Sequence, residues 1–90
     1  MRTCHLSIIG KVQGVFFRAS AKDIADSLGL CGWVRNTNDG NVEVYAAGDA
    51  DAIDRFINWC HEGPAGARVD EVLEIPATTM ETQPTFRIIR

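Results

Sequence analysis

The sequence predicts an α+β fold in which two helices cover one face of a mostly antiparallel sheet. Short segments with alternating apolar residues indicate strands, and two longer segments with apolar residues every three or four positions indicate helices. Their order along the chain is β-α-β-β-α-β, followed by a short C-terminal strand. Such helices and such a sheet each need a partner layer to bury their apolar faces. The length of 90 residues predicts one domain, residues 1–90.

The first strand and the first helix are predicted between residues 3 and 28. In Thr3–Ile9 the residues Cys4, Leu6 and Ile8 alternate with His5, Ser7 and Ile9, which is typical of a half-buried strand. A helix is predicted over Phe17–Leu28, and Gly29 is well placed to end it in a left-handed conformation. The apolar stripe of this helix recurs at steps of four, three and four: Phe17, Ala21, Ile24 and Leu28.

A β-hairpin is predicted in the middle of the chain. Cys31–Asn36 forms its first strand, and Val42–Ala47 forms its second by alternation. The Asp39-Gly40 pair between them is a strong hairpin signal. Tyr45 is the one aromatic residue of the second hairpin strand, and its alternation with Val44 predicts an exposed ring.

The second helix is predicted over about Asp51–Glu62. Asp49 or Asp51 can cap its start, and the Gly63-Pro64 pair ends it. Its apolar stripe consists of Ile53, Phe56, Ile57 and Cys60.

Two further strands complete the prediction, one over about Val69–Ile75 and a short one over about Phe86–Ile89. The element order fits the split βαβ arrangement called ferredoxin-like, a two-layer sandwich. This fold hosts many unrelated functions, so function has to be argued from the site.

Composition excludes several classes of function. The net charge is −3, from 9 basic and 12 acidic residues, which argues against nucleic acid as a partner. Cys4, Cys31 and Cys60 are far apart, and His5 and His61 lack ligand spacing, so we expect no metal and free thiols in a reducing, cytoplasmic environment. The N-terminus lacks the long apolar segment of a signal peptide, and no segment approaches 18 consecutive apolar residues, so we expect neither a secreted precursor nor a membrane partner.

The segment from Gly10 to Arg18 predicts an anion site. Gly10 and Gly14 allow the loop to curl so that backbone N–H groups point inward. Arg18 then lies at the start of the predicted helix, where the helix N-terminus and a guanidinium both favour a phosphate. The predicted phosphate-binding loop consists of Gly10, Lys11, Val12, Gln13, Gly14 and Val15.

The chemistry of this site is narrowed by the motifs that the chain lacks. Neither GxxxxGK[ST] nor GxGxxG occurs, and no nucleophile or strong base is indicated. Hydrolysis of a phosphoryl group whose leaving group is a carboxylate needs neither a nucleophilic side chain nor a strong base. Its transition state is loose, so catalysis requires positioning and charge stabilisation. In a split βαβ sheet the first two strands are parallel, so Asn36 should lie beside the glycine loop. Its amide can hold the attacking water.

Other interpretations stay open at this point. Arg18 could pair with a surface carboxylate, the glycines could serve only a turn, and Asn36 could cap a strand end. Phe16, Phe17 and Trp33 fit packing roles. A non-catalytic anion-binding module on the same fold is the main alternative function, and a nucleic-acid-binding domain that uses Tyr45 is a weaker one.

Two segments carry a resemblance to a known family. Ile8–Arg18 (IIGKVQGVFFR) resembles the first signature of the acylphosphatases. Gly32–Val42 (GWVRNTNDGNV), with Gly48 six residues later, resembles their second signature. Both motifs occur in the family's order and spacing, so the resemblance covers essentially the whole chain.

The resemblance implies a ferredoxin-like enzyme that hydrolyses the carboxyl–phosphate bond of acyl phosphates. It implies that Arg18 binds the phosphate, that Asn36 places the nucleophilic water, and that amides from about Lys11 to Val15 complete the cradle. It implies no metal or organic cofactor. We further expect inorganic phosphate to be product and competitive inhibitor, and the chain to be a monomer. The physiological acyl group stays open.

Overall fold

The computed structural model describes residues 1–76 and 84–89, and it contains the predicted elements in the predicted order. The first strand extends to Lys11, two residues beyond its predicted end, because it continues to pair with the fourth strand. The elements are β1 Arg2–Lys11, α1 Phe17–Ser27, β2 Cys31–Asn36, β3 Val42–Gly48, α2 Ala50–Glu62, β4 Arg68–Glu74 and β5 Phe86–Ile88.

The five strands form one sheet in the order β4-β1-β3-β2-β5. β3 is antiparallel to both β1 and β2, so β1 and β2 run parallel to each other. β4 adds antiparallel to β1, and β5 adds parallel to β2. The predicted fold class is therefore confirmed, and the C-terminal ends of β1 and β2 meet at one edge of the sheet.

The hydrophobic core lies between the helices and one face of the sheet. Leu6, Val34 and Val44 point into it from the central strands, and all are fully buried. Burial of each such side chain contributes about 1.5–3 kcal/mol. Phe17 of α1 and Phe56 of α2 close the core from the helix layer.

The apolar stripe of α1 is rotated from its predicted position. Ala25 is fully buried beside Phe17 and Ala21, whereas Ile24 and Leu28 are only half-buried against the core. The two alanines allow α1 to lie close to the sheet, which moves the larger side chains to the edge of the contact. In α2 the predicted stripe is buried except for half-buried Ile57, and Asp49 at the N-cap makes no side-chain capping hydrogen bond.

On the sheet face opposite the helices, Tyr45 is buried, so the prediction of an exposed ring is wrong. Its ring is 3% exposed, because it stacks on Trp33 with ring centroids 6.2 Å apart and contacts the His5 ring. A buried ring cannot stack on a base, which removes the feature that suggested nucleic-acid binding. Next to these rings, Glu43 lies 2.5 Å from His5 Nε2 and accepts a hydrogen bond from Arg35 Nε at 2.6 Å.

Glu43 is expected to make stability depend on acid pH. Burial raises its pKa, but hydrogen bonds with His5 and Arg35 outweigh that effect and hold the pKa below its ordinary value. Such a carboxylate stabilises the fold above the unfolded pKa of about 4.3, and that stabilisation is lost as the pH falls further. Glu43→Gln should therefore weaken the acid dependence of the unfolding free energy, measured by urea titration. Curves of unfolding free energy against pH that run parallel for the wild type and Glu43→Gln would contradict this. Glu71→Gln, at an exposed glutamate, is the control and should keep the acid dependence of the wild type.

The three cysteines are free and differ in burial. Cys4 and Cys60 are buried, and burial raises the pKa of the Cys4 thiol to about 11 and also raises the pKa of Cys60. Cys31 is half-buried. Because thiolates are the reactive form, a thiol reagent should label Cys31 first and the other two only on unfolding. The absorbance of released thionitrobenzoate measures this, and a fast phase that survives Cys31→Ser would refute it.

Candidate active site

A pocket of about 340 Å³ lies where the C-terminal ends of β1 and β2 meet. The loop after β1 and the start of α1 contribute Gly14, Phe16 and Arg18 to its wall. Asn36, the last residue of β2, and Ile88 of β5 contribute the other side. The topology thus brings together Arg18 and Asn36, as the sequence predicted.

The loop beside this pocket has backbone donors that pair with no described residue. Gly14 has φ +76°, and Phe16 has the left-handed values φ 63°, ψ 25°. A left-handed residue between right-handed ones turns successive N–H groups toward one point, an anion-binding arrangement called a nest. Among the described residues, the amides of residues 13–19 donate no backbone hydrogen bond. They are therefore free to bind an anion.

The N-terminus of α1 strengthens the same anion site. The helix begins at Phe17, and its N-cap residue Phe16 supplies no side-chain capping hydrogen bond. The first amides of the helix therefore carry the partial positive charge of the helix dipole and have no hydrogen-bond partner in residues 1–76 and 84–89. An oxyanion in the pocket would satisfy these groups.

Arg18 adds a full positive charge to the pocket. Its side chain is half-buried and lines the pocket wall. Within residues 1–76 and 84–89, none of the ion pairs includes Arg18. A surface ion pair therefore does not account for this residue in the described part of the chain. Of the other two candidate cations, Lys11 is exposed and Arg35 pairs with Glu43.

Asn36 has a buried side-chain oxygen that no described residue contacts by a hydrogen bond. Its Oδ1 is buried and forms no hydrogen bond with any residue that the structure describes. An unpaired buried carbonyl oxygen costs about 1–3 kcal/mol. A strand-end cap would use this oxygen to accept a backbone N–H, so the arrangement does not support the capping alternative. It fits an amide whose partner is a water molecule or a ligand.

Gln13 holds the loop against the hairpin that carries Asn36. Its Nε2 donates hydrogen bonds to the carbonyl oxygens of Thr37 and Asn41, each at 2.8 Å. Thr37 and Asn41 flank the hairpin turn, where the Thr37 N–H donates to the Asn41 carbonyl at 2.9 Å. Gln13 therefore joins the predicted phosphate loop to the strand end at Asn36.

Thr37 stabilises the turn itself. Its hydroxyl donates to the Asp39 carboxylate and accepts from the Asn41 N–H at 3.1 Å. The hydrogen bond from Thr37 holds the pKa of the Asp39 carboxyl below its usual value. The hydroxyl contacts of Thr37 therefore belong to the turn, and none of them involves Asn36.

The remaining loop residues have structural positions. Gly10 lies at a bulge in β1, at φ +142°, and a Cβ there would come within 2.2 Å of the Arg68 carbonyl oxygen. Lys11 pairs with Arg68 and is exposed. Val12 is buried, and Val15 packs half-buried against the core. These side chains set the path of the loop, and of the predicted loop residues Val12 and Gly14 line the pocket.

The family model for acylphosphatases matches residues 4–88. The chain belongs to the acylphosphatase family. An acylphosphatase of Rubrobacter xylanophilus is 53% identical over 79% of this chain and 66% of its own length. One from Methylococcus capsulatus is 46% identical over the whole of this chain and 98% of its own. The members of this family are hydrolases.

A solved structure supports the assignment at the level of the fold. The crystal structure of the Bacillus subtilis acylphosphatase superposes with a TM-score of 0.93 over 100% of both chains, at 31% identity. No helix in the described part of this acylphosphatase is long and apolar enough to cross a membrane. Within the same residues, no group of three or more His, Cys, Asp or Glu side chains could hold a metal ion.

Gln13→Leu is expected to lower turnover by about ten- to a hundredfold while the protein stays folded. The variant removes both hydrogen bonds between the loop and the hairpin, and displacement of a catalytic group by about 1 Å can cost a hundredfold. The measurement is kcat with benzoyl phosphate beside the urea-unfolding midpoint. Asn58→Ala is the control, because it removes a side-chain amide from an exposed position on α2 and should leave kcat unchanged. Unchanged kcat in Gln13→Leu would show that the clamp does not position the site.

Proposed function

We propose that this acylphosphatase hydrolyses the carboxyl–phosphate bond of acyl phosphates by direct attack of water. The observation that supports this most is one pocket that combines free loop amides, the Arg18 guanidinium and the Asn36 amide. Arg18 is the one titratable side chain among the described residues that line the pocket. The site therefore suits a reaction that needs charge stabilisation and no general base.

The loop amides and Arg18 bind the phosphoryl oxygens. In the loose transition state of phosphoryl transfer, negative charge is spread over these oxygens. Preorganised N–H donors and a guanidinium stabilise that charge without reorganising, and one such donor is worth about 3–4 kcal/mol. The fork of Arg18 can bind two phosphoryl oxygens at once.

Asn36 holds the attacking water. Its amide offers a carbonyl acceptor and two N–H donors, which can orient a water without deprotonating it. The water oxygen forms a bond to phosphorus as the bond from phosphorus to the carboxylate oxygen breaks. The carboxylate leaves as a weak base and needs no proton. The proton of the water goes to a phosphoryl oxygen, and inorganic phosphate is released.

The first experiment is an assay of the wild-type protein with benzoyl and acetyl phosphate. We expect hydrolysis of these acyl phosphates, and competitive inhibition by inorganic phosphate, because the product occupies the same cradle. A phosphate monoester such as p-nitrophenyl phosphate is the negative control, since its leaving group is a stronger base. Phosphate binding without any acyl-phosphate hydrolysis would favour the non-catalytic anion-binding module.

We also propose that the protein works as a monomer in the cytoplasm. The described residues of a single chain supply every group used above, so the reaction needs no second copy. Its three free cysteines suit a reducing compartment. Light scattering at assay concentration measures the molecular mass. A specific activity (turnover per mole of protein) that rises with protein concentration would contradict the monomer.

A further inference from the structure

The pocket has an apolar side that phosphate binding does not use. Among the described residues, five large apolar side chains are exposed: Met1, Phe16, Leu73, Ile75 and Ile88. Two of them, Phe16 and Ile88, line this pocket. Phe16 comes from the residue before α1, and Ile88 comes from β5 at the sheet edge. The pocket therefore combines the polar side chains of Arg18 and Asn36 with two apolar side chains that are exposed to solvent.

Phe16 is an unexpected residue for its position. Its side chain is 83% exposed, so it contributes little to the core, and the packing role expected from the sequence is wrong. Its backbone is in the left-handed region, which bulky residues rarely occupy and which glycine occupies freely. Gly14, two residues earlier, shows the ordinary choice for such a conformation in the same loop. Neither folding nor loop geometry therefore accounts for a phenyl ring at this place.

We propose that Phe16 and Ile88 form a subsite for the acyl group and favour acyl phosphates with an apolar, above all aromatic, acyl group. The inference rests on the proposed function, because the acyl group is whatever remains of the substrate once its phosphoryl group is bound. That group must extend from the cradle toward solvent, where Phe16 and Ile88 are exposed. An aromatic acyl group covers both side chains, whereas an acetyl group is too small to do so.

This subsite predicts which acyl groups the enzyme prefers. Hydrophilic acyl groups gain nothing from a phenyl and an isoleucine side chain, since apolar contact is the only interaction that these offer. Discrimination should therefore appear between small or polar acyl phosphates and apolar ones. It should appear in kcat/KM for the acyl phosphate and be absent from the inhibition constant of inorganic phosphate, which has no acyl group.

The test compares kcat/KM for benzoyl and acetyl phosphate in the wild type, Phe16→Asn and Ile88→Ser. Asparagine tolerates the left-handed conformation, so Phe16→Asn removes the ring and preserves the loop. We expect the wild type to prefer benzoyl phosphate and the benzoyl-to-acetyl ratio to fall about three- to tenfold in each variant, the size of an aromatic contact. Leu73→Asn on β4, also exposed but outside the pocket, should leave the ratio unchanged.

The outcomes separate the subsite from the reaction. A fall in the ratio with an unchanged inhibition constant for phosphate supports the subsite. Equal ratios in the wild type and both variants overturn it, while hydrolysis of both substrates leaves the proposed function standing. A wild type that hydrolyses neither substrate overturns the proposed function itself. If Phe16→Asn also weakens phosphate inhibition, the ratio in Ile88→Ser decides, because Ile88 contributes no amide to the loop.

Discussion

Arg18→Ala is expected to abolish both phosphate binding and acyl-phosphate turnover. Within the described part of the chain, Arg18 is the only cation that lines the pocket, so the variant leaves the phosphoryl charge to backbone amides. Loss of one oxyanion donor costs about 10²–10³ in rate, and loss of an arginine at a phosphoryl group costs about 10³–10⁵. The measurements are kcat/KM with benzoyl phosphate and the inhibition constant of inorganic phosphate. We expect both to worsen, because the guanidinium binds substrate and product.

Two further variants make the Arg18 result specific. Arg18→Lys keeps the charge but loses the planar fork, so it should retain weakened phosphate binding and little turnover. Arg55→Ala removes an exposed cation of α2 outside the pocket and should behave like the wild type. If inorganic phosphate inhibited Arg18→Ala with the same inhibition constant as the wild type, the amides alone would form the cradle. The part assigned to Arg18 in binding would then be wrong.

The sequence predicts the architecture of the site well because parallel strands end at one sheet edge. The alternation in β1 and the hairpin signal at Asp39-Gly40 are local, and together with the order of the elements they indicate a split βαβ sheet. That order brings Arg18 and Asn36 to one pocket, although 17 intervening residues separate them in the sequence. Their catalytic functions stay predictions until the variants are measured.

Contacts between distant segments are what the sequence does not reveal. Gln13 donates to carbonyl groups 24 and 28 residues away, and backbone carbonyls leave no trace in the identity of a residue. The burial of Tyr45 depends on Trp33 and His5 from two other strands. Alternation identifies the two faces of a strand, but it cannot show that aromatic side chains pack together on the second face as well.

The exposure of Phe16 illustrates the same limit at the site. In the sequence it is one of two adjacent phenylalanines that both suit a core. In the structure Phe17 is 1% exposed and Phe16 is 83% exposed, because α1 begins between them and turns their side chains apart. Only the start of the helix, set by the left-handed backbone at Phe16, decides which ring enters the core.

Asn36→Ala is expected to lower kcat by about 10²–10³, the scale of one preorganised catalytic donor, with little change in the inhibition constant of phosphate. Asn36 is proposed to act on the water and not on the phosphoryl group, so only the step that uses the water should suffer. The substitution also removes a buried carbonyl oxygen that has no partner in the described residues, so it should not lower the unfolding free energy.

This combination separates a water-holding amide from a strand-end cap. If Asn36 is a strand-end cap, Asn36→Ala should lower the free energy of unfolding and reduce kcat only through a shift of the hairpin. If Asn36 holds the water, the variant should lose kcat while its free energy of unfolding stays at the wild-type value. Asn38→Ala is the matched control, because Asn38 is an exposed amide in the same hairpin that does not line the pocket. Near-normal kcat in Asn36→Ala would rule out the water-holding function. Hydrolysis would then depend on the amides and Arg18 alone, and the attacking water would be a solvent molecule that no side chain orients.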